Sequence, residues 1–306
     1  MRQVESSPLV SIGMPVYNGE EYISQALDSL LAQTHTNFEL IISDNVSTDG
    51  TWGLCQRYAV KDTRIQLYQN DENLGVYNNI NRVLELSSGK YFMWAAHDDI
   101  WHKDFISELV NLLEDTSSAV LAACRSEKIT YAGNAIKSGP VYLTTINMTR
   151  AERLRYFAQY ANGWLFYGLY RSDIARDKMA VFLNKQLSSA HPEVLFMHKC
   201  IDSGDLTFTE KVLTFKRQSK EDHQTVTNFE VWKSFYLHCY GSLFKCYHFN
   251  DLSFREIVLV YLGIVKGFSQ RSSYIILHHK VYNNRLVSIL RGIKSLILSL
   301  ITFKRR

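Results

Sequence analysis

Short apolar runs alternate with amphipathic segments along the first hundred residues. Strand-like runs occur at residues 9–16 and 38–44, and again in "RIQLYQN" and "KYFMWAA". Between the first two, "EYISQALDSLLAQT" places Ile23, Leu27 and Leu30 on one helical face. This order, β-α-β-α-β-α-β with short buried strands, is typical of an α/β fold with a doubly wound, mostly parallel sheet flanked by helices.

The rest of the chain changes character twice. A helix predicted over 102–115 leads into a strand with a hairpin-like return in "SAVLAACRSEKITYAGN". Further on, "GDLTFTEKVLTFKRQS" predicts a final hairpin at the edge of the sheet. From about residue 229 the pattern becomes helical and aromatic. We therefore predict an α/β domain over 1–228 and a helical C-terminal extension over 229–306.

Composition places the chain among ordinary globular proteins. Of its 306 residues 46% are hydrophobic and 21% are charged, and only four are proline. The five cysteines are scattered and never form a CxxC pair, which argues against a disulfide framework or a structural zinc site and favours a reducing compartment. The first ten residues contain no apolar signal region, so we expect a cytoplasmic protein.

Charge is distributed unevenly along the chain. Residues 231–306 carry twelve Lys and Arg against two acids, whereas residues 1–230 carry 22 against 28. Near the C-terminus, Arg291 and Lys294 interrupt an apolar run that is then too short to span a membrane. We expect this basic segment, 286–306, to contact the inner face of the cell membrane peripherally. Packing on the α/β domain, or oligomerisation, is the alternative, and no feature suggests nucleic-acid binding.

Acids follow two of the predicted strands. Asp44 ends the second strand, and Asp98 and Asp99 follow the fourth. Ligands of such sheets bind beyond the carboxyl ends of the strands. Adjacent carboxylates suit Mg²⁺ or Mn²⁺, which usually completes its coordination shell with substrate phosphates and water. The pair therefore predicts a divalent cation bound with a diphosphate, although acids at this place also occur as caps of a following helix.

Two neighbouring loops supply further candidates. In "SDNVSTDGT", Asp44 can accept a hydrogen bond from a ring N–H or a ribose hydroxyl. In "GMPVYNGEEY", Pro15 and the turn at Asn18 end the first strand and place Tyr17 beside the end of the second. The Tyr17 ring either flanks a nucleobase or packs under the loop, and both interpretations remain open.

Together these segments resemble a known family. "VSIGMPVYNGEEYISQALDSLLAQTHTNFELIISDNVSTDGT" and "NLGVYNNINRVLELSSGKYFMWAAHDD" are similar, in order and spacing, to the nucleotide-binding half of the family 2 glycosyltransferases, which have the GT-A fold. The resemblance covers residues 8–115 and implies that 116–228 form the acceptor half. It implies a nucleotide-sugar donor, in first place a UDP-sugar, with Mn²⁺ or Mg²⁺ as cofactor, and inversion at the anomeric carbon.

The resemblance also implies roles for individual residues. The family's nucleobase loop falls on Pro15, Tyr17 and Asn18, and its uracil-contacting pair on Asp44 and Asn45.

Its DXD-type motif falls on His97, Asp98 and Asp99. The resemblance implies that Asp99 holds the metal and that Asp98 contacts the ribose or the metal. His97 stands where the family usually has its first acid, just as Asn45 replaces an acid in the uracil-contacting pair. A family arginine on the third helix falls on Ile80, so Asn78 or Arg82 is expected to contact the donor phosphates instead.

The catalytic base and the acceptor site are implied further along the chain. The family's base lies eleven residues before a glycine, and counting back from Gly204 gives Glu193, with His191, Asp202 and Asp205 as competitors. Near a helix N-terminus this carboxylate would accept the proton of the acceptor hydroxyl.

"GWLFYGLYRSD" corresponds to the acceptor segment, where Trp164 and Tyr167 either stack on a sugar ring or belong to the core. We therefore expect an inverting glycosyltransferase that uses a glycan or lipid-linked acceptor in cell-surface polysaccharide synthesis. The alternative is a non-catalytic nucleotide- or glycan-binding protein on the same scaffold.

Overall fold

A computed structural model describes residues 7–160, 163–179 and 192–218. The extension predicted over 229–306, with its expected membrane contact, lies outside the described residues. Among those that are described, no helix is both long and apolar enough to cross a bilayer.

The N-terminal half has the predicted order of strands and helices. Its elements are β1 (Val10–Val16), α1 (Ile23–Leu31), β2 (Phe38–Asp44), α2 (Thr51–Lys61), β3 (Ile65–Gln69), α3 (Val76–Glu85) and β4 (Tyr91–Trp94). Strand β1 pairs in parallel with both β2 and β4, and β2 pairs in parallel with β3. The carboxyl ends of β1, β2 and β4 therefore meet at one edge, and the doubly wound interpretation is confirmed.

The second half extends the same sheet. Its elements are β5 (Ile100–Trp101), α4 (Phe105–Asp115), β6 (Ala119–Ile129), β7 (Ala135–Ser138), α5 (Arg150–Tyr160), a 3-10 helix (Gly163–Tyr167), β8 (Leu169–Arg171), α6 (Ser172–Lys178), α7 (Pro192–Ser203) and β9 (Asp205–Arg217). The strand order is β3-β2-β1-β4-β8-β6-β9-β5, with β7 paired to β6. Strand β8 is antiparallel to both neighbours, β4 and β6, and thus joins the two halves.

The prediction of a hairpin at the edge of the sheet is wrong. Strand β9 is continuous and lies between β6 and β5. Its pairing with β6 slips between Cys124, opposite Thr209, and Arg125, opposite Val212. Glu210 and Lys211 bulge out at this slip and are exposed. A charged pair in the middle of an apolar run resembles a turn in sequence, although here it marks a bulge.

An aromatic cluster fixes the second half against the end of β4. The buried Trp94 ring stacks on Phe166, with ring centroids 4.5 Å apart, and meets Phe196 edge-on at 5.3 Å. Its indole Nε1 donates to the Ile80 carbonyl of α3 at 3.0 Å. One side chain thus brings the 3-10 helix, α7 and α3 to the carboxyl end of β4, which places residues of the predicted acceptor half next to the strand-end acids.

Candidate active site

A cavity of about 480 Å³ lies where β1, β2 and β4 end. It is lined by Pro15, Val16, Tyr17, Asn45, Asn73, Val76, Asn79, Ile80, Trp94, Ala95, Ala96, His97, Asp98, Phe166 and Tyr167. Five predicted site residues are in this wall: Pro15, Tyr17, Asn45, Asp98 and Tyr167. The other predicted residues stand behind the wall or beside it.

One buried carboxylate oxygen of Asp44 accepts no hydrogen bond from the described residues. The side chain is fully buried, and its Oδ2 accepts from the Ser47 N–H and from Gln69 Nε2, both at 3.1 Å. Its Oδ1 has no hydrogen-bond partner among the described residues. A buried polar atom left unpaired costs about 1–3 kcal/mol. A ligand N–H or hydroxyl would offset that cost, and the next residue, Asn45, already lines the cavity.

Asn45 uses its amide to shape the wall. Its Nδ2 donates to Asn73 Oδ1 at 2.7 Å, while its Oδ1 accepts from Asn70 Nδ2 at 3.0 Å and from the Leu74 N–H at 2.8 Å. An aspartate here could accept these bonds but could not donate to Asn73. The change from the family's usual acid therefore coincides with an amide network that holds residues 70–74 in place.

Two other predicted nucleotide contacts lie off the cavity wall. Asn18, in the left-handed region with φ of 51°, accepts from the Thr48 N–H at 2.8 Å and so ties two loops together. Asn78 is exposed and donates to the Leu74 carbonyl at 2.8 Å, whereas its neighbour Asn79 lines the cavity. Their direct contact with the donor stays a prediction.

The adjacent acids face different surroundings. Asp98 lines the cavity, and its pKa is raised, first by burial and then by the negative charge of Asp99. Asp99 is buried behind it, where Oδ2 pairs with Lys216 Nζ at 2.8 Å and Oδ1 accepts from the Arg217 N–H at 3.0 Å. Asp99 therefore already has a cationic partner within the chain, and Asp98 is the acid exposed to a ligand.

Arg217 links the acid loop to the rest of the domain. Its guanidinium donates to the Asp98 carbonyl at 3.0 Å, to Gln25 Oε1 at 2.9 Å and to the Tyr131 carbonyl, and it covers the Tyr22 ring at 4.3 Å. These contacts make it a structural cross-link behind the cavity.

Replacing Arg217 by methionine is expected to destabilise the domain strongly. The Asp98 and Tyr131 carbonyls would lose their donor, at about 1–3 kcal/mol for each acceptor left unpaired. We expect the free energy of unfolding, measured in urea, to fall by roughly 3 kcal/mol. Lys137→Met on the exposed β7 is the control and should change it by no more than about 0.5 kcal/mol. Equal stability of the two variants would contradict the cross-link.

The two aromatic residues predicted to contact the acceptor, Tyr167 and Trp164, lie in different surroundings. Tyr167 lines the cavity, with Lys216 Nζ 3.5 Å from its ring centroid. Burial and then the charges of Asp99, Asp98 and Glu193 raise its pKa well above the ordinary value. Trp164 instead covers Gly139, where an added Cβ would come within 2.6 Å of its ring, and it is not part of the cavity wall.

Glu193 lies close to the same region. It is the second residue of α7 and is partly exposed. Its charge helps to raise the pKa of Tyr77, after burial, and the pKa of Tyr167, after burial and the charges of Asp99 and Asp98.

Of the competing bases, Asp202 is paired with Arg150 at 2.6 Å and Asp205 with Arg153 at 3.0 Å. His191 lies outside the described residues. Glu193 as the base therefore stays a prediction.

The described residues contain no group of three or more His, Cys, Asp or Glu side chains that could hold a metal ion. A cation bound together with a diphosphate, however, needs only one or two protein carboxylates. Asp98, with His97 beside it in the wall, supplies one carboxylate with oxygen donors for such a site. The residues present therefore fit a cation that arrives with the donor.

Lys216 and Asn73 are among the contributors to the site that were not predicted from the sequence. Lys216 lies in the basic run that ends β9, but only the pairing of β9 next to β5 brings it to Asp99. Asn73 lies in the loop before α3, and only its bond to Asn45 reveals its place in the wall.

Fold and sequence together define a glycosyltransferase scaffold of GT-A type. The sequence profile of Glycosyl transferase family 2 matches residues 11–175, and the chain belongs to this family. An uncharacterized glycosyltransferase of Rickettsia prowazekii is 38% identical over 130 residues, covering 42% of this chain and 40% of that protein. A putative teichuronic acid biosynthesis glycosyltransferase of Bacillus subtilis, TuaG, is 38% identical over 112 residues, covering 37% and 44%. The alignments thus span less than half of either relative.

Solved structures share the fold at low identity. TarS of S. aureus, residues 1–349 in complex with UDP, superposes with a TM-score of 0.59 at 20% identity, covering 85% of this chain and 72% of that one. Mannosyltransferase PcManGT from Pyrobaculum calidifontis, in complex with GDP-Man and Mn²⁺, gives 0.56 at 14%, covering 96% and 81%. The predicted GT-A fold is therefore confirmed.

Proposed function

We propose that this protein is an inverting, cation-dependent glycosyltransferase that moves a sugar from a UDP-sugar to a glycan or lipid-linked acceptor. The observation that carries the proposal is the cavity at the strand ends, which has Asp98 and Tyr167 in its wall and the unpaired Asp44 Oδ1 behind it, with the charge of Glu193 acting on Tyr167. Family membership supplies the reaction class.

In this proposal the two halves of the cavity bind different parts of the donor. Tyr17 and Pro15 flank the nucleobase, and Asp44 accepts a hydrogen bond from its ring N–H or from the ribose. Asp98 faces the diphosphate and is the residue that would hold Mg²⁺ or Mn²⁺, with Asp99 as the alternative that the sequence predicts. A cation bound there would neutralise the charge that develops on the departing diphosphate.

The acceptor enters on the side of Tyr167. Glu193 takes the proton from the acceptor hydroxyl as its oxygen attacks the anomeric carbon, while the bond to the nucleotide's terminal phosphate oxygen breaks on the opposite face. The configuration at that carbon inverts in this single displacement. Protein groups need only position the acceptor, accept one proton and stabilise the leaving group.

Relatives support the biological setting of the proposal. The name of TuaG refers to teichuronic acid biosynthesis, and TarS is seen with UDP and with UDP-GlcNAc. A role in cell-surface polysaccharide synthesis, at the cytoplasmic side of the membrane with contact through 286–306, is the corresponding proposal for this chain.

Nucleotide binding tests the proposal directly. Calorimetric titration of the full chain with UDP is expected to show binding that strengthens when Mn²⁺ is added, and GDP is expected to bind more weakly. Incubation with a panel of UDP-sugars should then release UDP at a rate that an added acceptor increases. Absence of UDP binding with and without Mn²⁺ would refute the proposal.

The departures at Asn45, His97 and Ile80 favour one competing function, a binding protein without catalysis. UDP binding of the same strength with no release of UDP from any sugar nucleotide, with or without acceptor, would support that alternative.

A further inference from the structure

Lys216 is a mostly buried cation with two partners at the cavity. Its side chain is only 13% exposed, and its ammonium lies 2.8 Å from Asp99 Oδ2. The same Nζ lies 3.5 Å from the centroid of the Tyr167 ring. Lysine is almost never buried unless its charge is paired, and a cation this close to a ring face is attracted by it. The ammonium is therefore fixed between a carboxylate and an aromatic ring.

Lys216 is not in the cavity wall itself, but both of its partners are in the wall or next to it. Tyr167 is in the wall itself, and Asp99 directly follows Asp98, which is also in the wall. The remaining oxygen of Asp99 is held by the Arg217 N–H at 3.0 Å. The Asp99–Lys216 pair thus combines opposite formal charges, and Asp98 is the carboxylate that remains in the wall.

We propose that Lys216 is a positioning residue that cancels the charge of Asp99 and holds Tyr167 in the wall, so that Asp98 alone faces the donor's diphosphate and cation. This role rests on the proposed donor site. In this proposal Lys216 on β9 balances Asp99, and Asp98 is left for the cation brought in with the donor.

The charges at the site predict how removing Lys216 changes the affinity for UDP. Without the ammonium, two neighbouring carboxylates would face an incoming diphosphate, which repels the nucleotide when no cation is present. The same two carboxylates attract a divalent cation, which then offsets part of the loss. Removing Lys216 should therefore weaken metal-free binding more than binding with metal. A residue needed only for packing would weaken both by the same factor.

The test compares UDP affinity by calorimetry, in mildly alkaline buffer, with EDTA and with saturating Mn²⁺. Lys216→Met in the full chain is expected to lower the affinity about tenfold in EDTA, which corresponds to about 1.4 kcal/mol of lost charge compensation, and by a smaller factor with Mn²⁺. Lys216→Arg should retain wild-type affinity in both conditions. Lys211→Met is the matched control, because Lys211 is on the same strand and pairs with Glu108 at the surface.

A double variant separates charge from structure. Lys216→Met combined with Asp99→Asn removes both charges, and it is expected to restore most of the metal-free affinity that Lys216→Met alone loses. Circular dichroism and thermal melting identify the folded variants. Equal loss in both conditions, or no recovery in a folded double variant, would overturn the proposal. If Lys216→Met binds like the wild type, only the role of Lys216 fails, whereas a wild type that binds no UDP refutes the proposed function itself.

Discussion

Replacing Glu193 by glutamine is expected to lower kcat for sugar transfer by about 10²- to 10⁴-fold, the range typical of a lost general base. UDP affinity should stay unchanged, because in the proposed mechanism Glu193 acts on the acceptor hydroxyl and does not contact the nucleotide. The measurement is steady-state transfer with a saturating UDP-sugar, beside calorimetric titration of UDP.

Glu152→Gln is the control for this prediction. Glu152 is also in the first turn of a helix, α5, where it accepts from the Thr149 N–H and hydroxyl, both at 2.9 Å. This variant should keep its kcat even if α5 loses some stability. Normal turnover in Glu193→Gln would move the base to another residue, and an equal loss in both variants would mean that helix stability is the cause.

Asp98→Asn is expected to remove the strengthening of UDP binding by Mn²⁺ and to lower transfer by about 10²- to 10³-fold, as for other lost groups that stabilise a leaving charge. The reason is its place in the cavity wall, where its carboxylate can face a diphosphate-bound cation. Calorimetry with and without Mn²⁺ measures the first effect, and UDP release measures the second.

Asp99→Asn serves as the comparison, because it should act mainly on stability. It leaves the Lys216 ammonium buried beside an amide, and breaking a buried pair costs about 3–5 kcal/mol. Thermal melting is therefore expected to show the larger shift for Asp99→Asn, and Mn²⁺-dependent binding the larger loss for Asp98→Asn. The reverse outcome in folded protein would assign the metal to Asp99, as the sequence predicts.

Much of the fold was predictable because each of the first four strands has its own signal. The runs ending at Val16, Asp44 and Trp94 are apolar and short, and helical spacing between them excludes most other architectures. Strand β9 was harder, since the sequence gives no sign that Glu210 and Lys211 form a bulge. Strand pairing there depends on contacts with β6, more than eighty residues away along the chain.

The sequence predicts which loops meet at the site but not which of their side chains face the cavity. Strand direction brings Asp44 and Asp98 to one edge, and that follows from a parallel sheet alone. Which of two adjacent acids faces the ligand does not follow, because it depends on a partner distant in sequence. For Asp99 that partner is Lys216, and for Asn45 it is Asn73; neither pairing leaves a local pattern.

Substitutions at different residues of the cavity wall are expected to change stability by very different amounts. Trp94 is in the wall and also anchors the aromatic cluster, so a smaller side chain there would cost about 3–5 kcal/mol of stability. Tyr17 and Val76 are in the same wall but are 45% and 61% exposed. Substitutions at such positions usually change stability by no more than about 0.5 kcal/mol. Exposed positions such as Tyr17 and Val76 could therefore change during selection for a different donor while Trp94 stays constant. In this way the substrate can change without loss of stability in the core.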